Sequence, residues 1–255
     1  MKLLISGLSL LAVLAATPAS PVRAQTDNDE VDAIIKEIDE LYRSATSFSE
    51  LEMEIITPHW QRTLAMYGWS EGMNKTFIRL TAPKKEKGVA TLRIGNEMWN
   101  YLPKTNKIIK VPPSMMMSSW MGSDFTNDDL VKEFSLFEDY TYELVHPEGA
   151  QEDLIYINCI PREDLPIVWG NIVIAAREKD HIPIWARYYD EKGELIRVLD
   201  YKDVKEFGDR VIPATLEMIP QTKEGHKTVI RYRKLEFDVP LDGDVFTQRH
   251  LRSQD

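Results

Sequence analysis

The feature that most constrains the fold is a long succession of short segments in which apolar and polar residues alternate. The first is Leu51-Glu-Met-Glu-Ile55, and such segments recur as far as Leu235 with turn residues between them. Alternation with a period of two is typical of strands with one buried face, and tight turns such as Glu191-Lys-Gly193 join neighbours as antiparallel hairpins. Roughly a dozen evenly spaced strands predict a curled antiparallel sheet.

One amphipathic helix is predicted before the strands, because apolar residues recur there at steps of three and four: Val31, Ile34, Ile35, Ile38, Leu41 and Tyr42. Its apolar stripe needs a surface to cover, and the β-rich remainder of the chain supplies one. A closed barrel and a half-barrel covered by helices both fit the strand pattern, and the helix favours the half-barrel. No Pro/Ser/Gly-rich linker interrupts residues 25–255, so we expect a single domain there.

The N-terminus has the pattern of a secretory signal peptide. Lys2 precedes an apolar run from Leu3 to Ala16, and Val22-Arg-Ala24 resembles a cleavage site. We therefore predict that residues 1–24 are a signal peptide cleaved after Ala24. No later stretch approaches the roughly 20 apolar residues of a membrane helix, so we expect no permanent membrane anchor.

The charge and the single cysteine exclude some function classes. With 31 basic and 41 acidic residues the formal net charge is −10, and removal of Lys2 and Arg23 would make it more negative. Such a charge argues against nucleic acid or an anionic membrane surface as the main partner. Cys159 lies in the apolar run Leu154-Ile-Tyr-Ile-Asn-Cys-Ile160, which predicts a buried structural thiol.

A methionine-rich stretch interrupts the strand pattern at residues 111–130. It contains four of the ten methionines, with a tryptophan and a phenylalanine: Met115, Met116, Met117, Trp120, Met121 and Phe125. Because methionine is flexible and polarizable, such a surface can repack around lipid chains or protein helices. The same residues could equally plug a core. The spacing of Thr126 and Asp129 predicts a short helix that begins near Asn127, and Gly122 gives the backbone freedom just before it.

Three large aromatic residues on the predicted strands, Trp99, Tyr101 and Trp185, could line the inner face of a curled sheet. Ordinary core packing is the alternative for each of them.

No motif for catalysis, a metal or a cofactor is found in the sequence. The five histidines are scattered without metal-ligand spacing, and there is no nucleophile elbow, phosphate loop or dinucleotide-binding fingerprint. We therefore expect no cofactor and no metal, and we expect that the protein is not an enzyme.

The sequence resembles the outer-membrane lipoprotein-sorting proteins of the LolA-like superfamily. The resemblance rests on the signal peptide, the leading helix, Met98-Trp-Asn-Tyr-Leu-Pro103 and above all Trp120-Met-Gly-Ser-Asp-Phe-Thr-Asn-Asp-Asp-Leu130. It covers most of residues 25–255, and the match is to the branch associated with resistance-nodulation-division (RND) transporters.

The resemblance implies an unclosed half-barrel of about eleven antiparallel strands covered by helices. It also implies a periplasmic site and an apolar cavity that binds the acyl chains of a lipid or lipoprotein for transfer toward the outer membrane. Carriers of this kind hold their lid shut with an arginine on an early strand, and Arg79 is the nearest candidate. We hypothesise that residues 115–125 form a flexible wall or lid at the cavity mouth.

Two other classes of function remain open. The methionine-rich stretch could dock on an RND-type inner-membrane transporter without carrying lipid. An enzyme that acts on a lipid would need a titratable pair that converges in the cavity.

Overall fold

The computed structural model of the protein describes residues 22–131, 135–165 and 167–253. Thirteen strands form one sheet. They are β1 (Thr46–Ile56), β2 (Gln61–Glu71), β3 (Lys75–Ala82), β4 (Ala90–Ile94), β5 (Glu97–Leu102), β6 (Lys107–Lys110), β7 (Tyr140–Leu144), β8 (Leu154–Pro161), β9 (Asn171–Arg177), β10 (Pro183–Tyr189), β11 (Leu195–Phe207), β12 (Arg210–Pro220) and β13 (Lys227–Phe237).

The sheet consists of two meanders joined at one seam. Strands β1 to β6 and strands β7 to β13 each pair with their neighbours in sequence, and β1 pairs antiparallel with β13 from Ser47↔Phe237 to Ile56↔Lys227. Strands β6 and β7 are the two edges. The predicted curled, unclosed antiparallel sheet is confirmed, with thirteen strands where the resemblance implied about eleven.

One face of the sheet, here called the helix face, carries two hydrophobic cores. Successive cross-strand partners have their side chains on the same side of a sheet, and Met53, Ile230, Leu216 and Tyr201 are such partners. The first-half core is built on β1 to β5 around Met53, Ile55, Leu64, Met66, Leu80, Met98 and Trp120. The second-half core is built on β7 to β12 around Tyr140, Ile157, Cys159, Ile172, Ile174, Ala176, Ala186, Leu199 and Met218.

Helix α1 (Val22–Glu40) covers the second-half core, as its amphipathic pattern predicts. The four buried residues of its apolar stripe are Val31, Ile34, Ile35 and Ile38. The helix ends at Glu40, before the predicted Tyr42. Arg210 donates from Nη1 to the carbonyl oxygens of Glu40 and Leu41 at 3.0 and 3.4 Å, so it satisfies carbonyls that the end of a helix leaves free.

Most of the predicted signal peptide, residues 1–21, lies outside the described residues, and residues 22–24 are the first of α1. Within the described part of the chain, no helix is both long and apolar enough to span a membrane.

The connection between the two edge strands, described over residues 111–131 and 135–139, crosses the helix face and is called the crossing segment. It contains 3-10 turns at Pro113–Met115 and Trp120–Gly122, then helices α2 (Asn127–Val131) and α3 (Leu136–Asp139). The predicted helix start at Asn127 is confirmed. The backbone N–H of Thr126 donates to Asp129 Oδ2 at 2.8 Å, and the backbone N–H of Asp129 donates to Thr126 Oγ1 at 3.1 Å, which is a capping box.

The opposite face, called the outer face, is partly covered by the C-terminal residues. Val245 and Leu251, the latter in helix α4 (Gln248–Arg252), pack on Phe77, Leu92 and Tyr101. Because both faces are covered in places, strands such as β9 carry buried residues on both sides, as their blurred alternation predicts.

A candidate apolar cavity under the crossing segment

A cavity of about 440 Å³ lies between the helix face, the C-terminal end of α1 and the crossing segment. Much of its wall is apolar, with Trp120, Phe125, Leu130, Leu136, Leu199 and Leu216 among the lining residues. Its volume lies within the range of about 300 to 1,000 Å³ that is usual for ligand sites.

Trp120 separates the cavity from the first-half core. Its side chain belongs to that core, is only 4% exposed and also lines the cavity. The indole Nε1 donates to Thr91 Oγ1 on β4 at 3.2 Å, so the polar atom of the ring is satisfied in a buried position. The ring therefore separates the packed first-half core from the cavity.

Several hydrogen bonds fix the crossing segment to the sheet. The backbone N–H of Asp124 donates to Thr228 Oγ1 on β13 at 2.9 Å, and the Thr228 hydroxyl donates to Asp124 Oδ2 at 2.8 Å. Arg62 on β2 donates to the carbonyl oxygen of Met121. Met121 and Gly122 both have left-handed backbones, with φ of 51° and 75°. Gly122, predicted to give flexibility, thus lies in a tight turn whose carbonyl is held by a side chain.

An ion pair also links the crossing segment to the sheet. Arg197 on β11 donates from Nη1 and Nη2 to the two carboxylate oxygens of Asp129 on α2, at 2.9 and 2.8 Å. The guanidinium carbon lies 4.4 Å from the centroids of both the Trp169 and the Tyr188 rings. A planar guanidinium suits both the bidentate contact and the stacking.

Burial alone would raise the pKa of Asp129, but the hydrogen bonds and charge of Arg197, with the bonds from Thr126, outweigh it. They hold the pKa of Asp129 below its ordinary value. Burial would lower the pKa of Arg197, and Asp129 raises it instead. Both groups are therefore charged at neutral pH, and the pair holds α2 over the cavity.

Tyrosines form much of the remaining polar lining: Tyr42, Tyr140, Tyr188, Tyr201 and Tyr232. Burial raises the pKa of Tyr42, Tyr140, Tyr188 and Tyr201, so these phenols stay protonated at neutral pH. They are hydrogen-bond donors in a cavity wall that also contains apolar side chains such as Leu199 and Leu216.

The methionine-rich stretch is divided between core and surface. Trp120 and Phe125 line the cavity, whereas Met116 and Met121 pack against the first-half core. Met115 and Met117 are exposed, at 51% and 52%. The predicted group of six therefore supplies two residues to the cavity wall. The 3-10 turns direct alternate methionines toward the core and toward solvent. The sequence interpretation treated all of them as one apolar surface and did not predict this division.

The other four predicted site residues lie on the outer face, away from the cavity. Trp99 and Tyr101 pack in the cluster beneath the C-terminal residues. Trp185 packs on Tyr156 with ring centroids 5.9 Å apart. Arg79 donates to the carbonyl oxygens of Ser253 and His250, both at 2.7 Å, so it holds the end of α4. Side chains alternate between the two faces of a strand. Because Met98 and Leu80 lie on the helix face, Trp99, Tyr101 and Arg79 lie on the outer face.

Sequence reasoning missed Arg197 and the tyrosines. The available signal was an arginine within Leu195-Ile-Arg-Val-Leu199, because a charged residue within a buried strand needs a partner.

Cys159 is buried, as predicted, and burial raises the pKa of its thiol to about 12. In the part of the chain that the structure describes, no three His, Cys, Asp or Glu side chains are arranged to hold a metal ion.

Comparisons with known proteins agree with the architecture. The chain is similar to the structure of a candidate outer membrane lipoprotein-sorting protein domain from Vibrio parahaemolyticus, with a TM-score of 0.73, 22% identity, and coverage of 90% of this chain and 100% of that one. A DUF1329 family protein from Desulfovibrio piger gives a TM-score of 0.76 at 21% identity, with coverage of 88% and 99%.

A LolA superfamily protein from Nitrosomonas europaea gives a TM-score of 0.70 at 18% identity and coverage of 86% and 97%. At these identities the likeness shows the fold. Among curated proteins, none matches the chain by sequence. A family model described as "Uncharacterized protein" matches residues 72–253. The chain belongs to the family that this model describes, and its fold is that of the LolA superfamily.

Proposed function

We propose that the protein is a periplasmic carrier that binds the acyl chains of a lipid or lipoprotein in the cavity for transfer toward the outer membrane. The observation that carries the proposal is the apolar cavity beneath a crossing segment that Arg197 and Asp129 hold in place. The sorting function ascribed to the Vibrio parahaemolyticus domain supports the same class of cargo.

The energetics of acyl transfer favour a closed apolar site. Each methylene moved from water to an apolar environment contributes about 0.8 kcal/mol, so a chain of about 16 carbons contributes roughly 12 kcal/mol. A carrier in water can hold the chain only if its cavity provides an apolar environment that gives a similar free energy of transfer. The side chains of Leu199, Leu216 and Phe125 contribute an apolar lining beneath the crossing segment.

Mass spectrometry of organic extracts from the natively purified protein tests the proposal. We expect acyl lipid in wild-type protein and its loss in Leu216→Trp, because the indole would occupy the cavity. Leu102→Trp is the matched control, since Leu102 is an exposed residue on β5. Equal lipid content in both folded variants, or no lipid in the wild type, would contradict carriage.

The predicted export signal is a separate part of the proposal. If residues 1–24 are a signal peptide, protein recovered from the periplasm begins at Gln25. N-terminal sequencing of periplasmic and whole-cell fractions measures this directly. An intact N-terminus in a protein confined to the cytoplasm would oppose a periplasmic site.

A second candidate function is docking on an RND-type inner-membrane transporter. The exposure of Met115 and Met117 favours it, because both residues point away from the core and the cavity. A photo-crosslinking amino acid at position 117 should then give protein adducts in vivo, whereas one at position 125 should give lipid adducts if the cavity carries cargo. Protein adducts at position 117 without lipid adducts at position 125 would favour docking alone.

A further inference from the structure

Three tyrosine hydroxyls in the cavity make no hydrogen bond to any residue that the structure describes. They belong to Tyr140 on β7, Tyr188 on β10 and Tyr201 on β11, and all three residues line the cavity. Other tyrosines of the helix face are satisfied: Tyr42 donates to the carbonyl oxygen of Pro213 at 2.7 Å, and Tyr142 donates to that of Phe137 at 3.3 Å. These three residues of the helix face are called the tyrosine trio.

The trio is clustered around Arg197. Tyr188 is the cross-strand partner of Arg197, and its ring stacks on the guanidinium at 4.4 Å. Tyr201 lies four residues further along β11 on the same face. All three residues line the cavity, and Tyr188 and Tyr201 pack against the second-half core that contains Tyr140.

Apolar side chains surround part of the trio. Tyr140 is only 2% exposed and belongs to the second-half core with Ile172 and Leu199, whose side chains cannot accept a hydrogen bond. The carboxylate of Asp129 already accepts from Arg197 and Thr126. A buried hydroxyl without a partner is unfavourable, and most such groups in proteins are satisfied. What fills the cavity can supply the missing acceptors.

We propose that the tyrosine trio binds the ester or amide carbonyl oxygens that join acyl chains to the rest of a lipid or lipoprotein. This inference rests on the proposed carriage of acyl chains and defines the cargo further. The linkage region then lies inside the cavity beside Arg197, and the chains extend along the apolar wall. Such a site selects acyl esters and amides over alkyl ethers of the same length, because ether oxygens are weaker acceptors than carbonyls.

The test compares two lipids that differ at the linkage alone. Phosphatidylcholine with two 16-carbon ester-linked chains and its diether analogue are presented in separate vesicles, and transfer to the protein is measured. One hydrogen bond to a neutral group changes affinity by a factor of about 2 to 10. We expect wild-type protein to prefer the ester by about tenfold. The triple variant Tyr140→Phe, Tyr188→Phe, Tyr201→Phe should reduce the preference to less than about twofold.

Tyr67→Phe on the outer face is the matched control, and it should keep the full preference. Circular dichroism and cooperative unfolding check that each variant folds, and single Tyr→Phe variants replace the triple variant if it does not. Two results overturn the inference: equal binding of both lipids by wild-type protein, or an unchanged preference for the ester lipid in the folded Phe variants. Neither result contradicts the proposed binding of acyl chains in the cavity. Either result would mean that water satisfies the hydroxyls. Binding of neither lipid overturns the proposed function itself.

Discussion

The two halves of the helix face are filled in different ways. Over β1 to β5, the crossing segment supplies Trp120 with Met116 and Met121, and these side chains complete the first-half core. Over β7 to β12, helices α1 and α3 cover the sheet, and the cavity is bordered by large, stiff phenols such as Tyr188 and Tyr201. Flexible methionines fill irregular gaps, whereas rigid rings leave space between them. One continuous sheet thus supports a solid half and a hollow half.

The largest effect is expected from breaking the ion pair that holds α2 over the hollow half. Arg197→Ala leaves the Asp129 carboxylate buried without its partner, which should lower the free energy of unfolding by about 4 kcal/mol. Denaturant unfolding measures this. Arg233→Ala is the matched control, because Arg233 forms an exposed pair with Glu52 and should change stability little. Equal effects of the two substitutions would show that the pair does not secure the crossing segment.

The next largest effect is expected at Trp120, which separates the first-half core from the cavity. Trp120→Ala should lower the free energy of unfolding by about 3 kcal/mol, because it removes a buried ring from the first-half core. It should also join the vacated space to the cavity, so that extracted lipids shift to longer acyl chains. Mass spectrometry and calorimetry measure the two effects. Unchanged chain lengths in a folded, destabilised variant would show that Trp120 does not limit the cavity.

A smaller effect separates the inward from the outward methionines. The double variant Met116→Ser, Met121→Ser should lower the free energy of unfolding by about 2 kcal/mol, because both side chains pack on the first-half core. Met115→Ser with Met117→Ser changes exposed side chains and should stay within about 0.5 kcal/mol of wild type. Thermal unfolding of the two double variants compares them. Similar losses would mean that all four methionines act alike.

The smallest expected effect is on acid stability. Because the folded-state pKa of Asp129 is depressed, its contribution to stability is present above the unfolded pKa of about 3.9 and is lost as the pH falls through the folded value. The stability difference between wild type and Asp129→Asn should therefore be largest near pH 7 and shrink below about pH 4. A difference that stays constant from pH 7 to pH 3 would contradict the depressed pKa.

The repeating patterns of the sequence predicted most of the fold. Helix α1 follows from its apolar spacing, the alternating segment from Leu51 to Ile55 lies within β1, and the start of α2 follows from Thr126 and Asp129. Each of these depends on neighbouring residues, which a sequence displays directly. The thirteen strands are likewise local features.

Much of the site depends on pairings that the sequence does not display. Arg197 and Asp129 are 68 residues apart, and only the sheet order brings them together. Arg79 was assigned a lid role because it lies on an early strand, yet the side chain faces α4. Which face of β3 meets the crossing segment depends on where the C-terminal residues pack, and no short motif encodes that choice. The sequence therefore predicts the segment above the cavity better than the residues that hold it.

The seam between β1 and β13 has a consequence for the order of assembly. These neighbours come from opposite ends of the described strands, so their pairing closes the longest loop in the sheet. Each meander can form hairpin by hairpin, but the outer backbone groups of β1 stay unpaired until β13 pairs with it. An exposed strand of that length is a template for pairing between chains. The pairing of β13 with β1 therefore protects the folding chain from association with other chains.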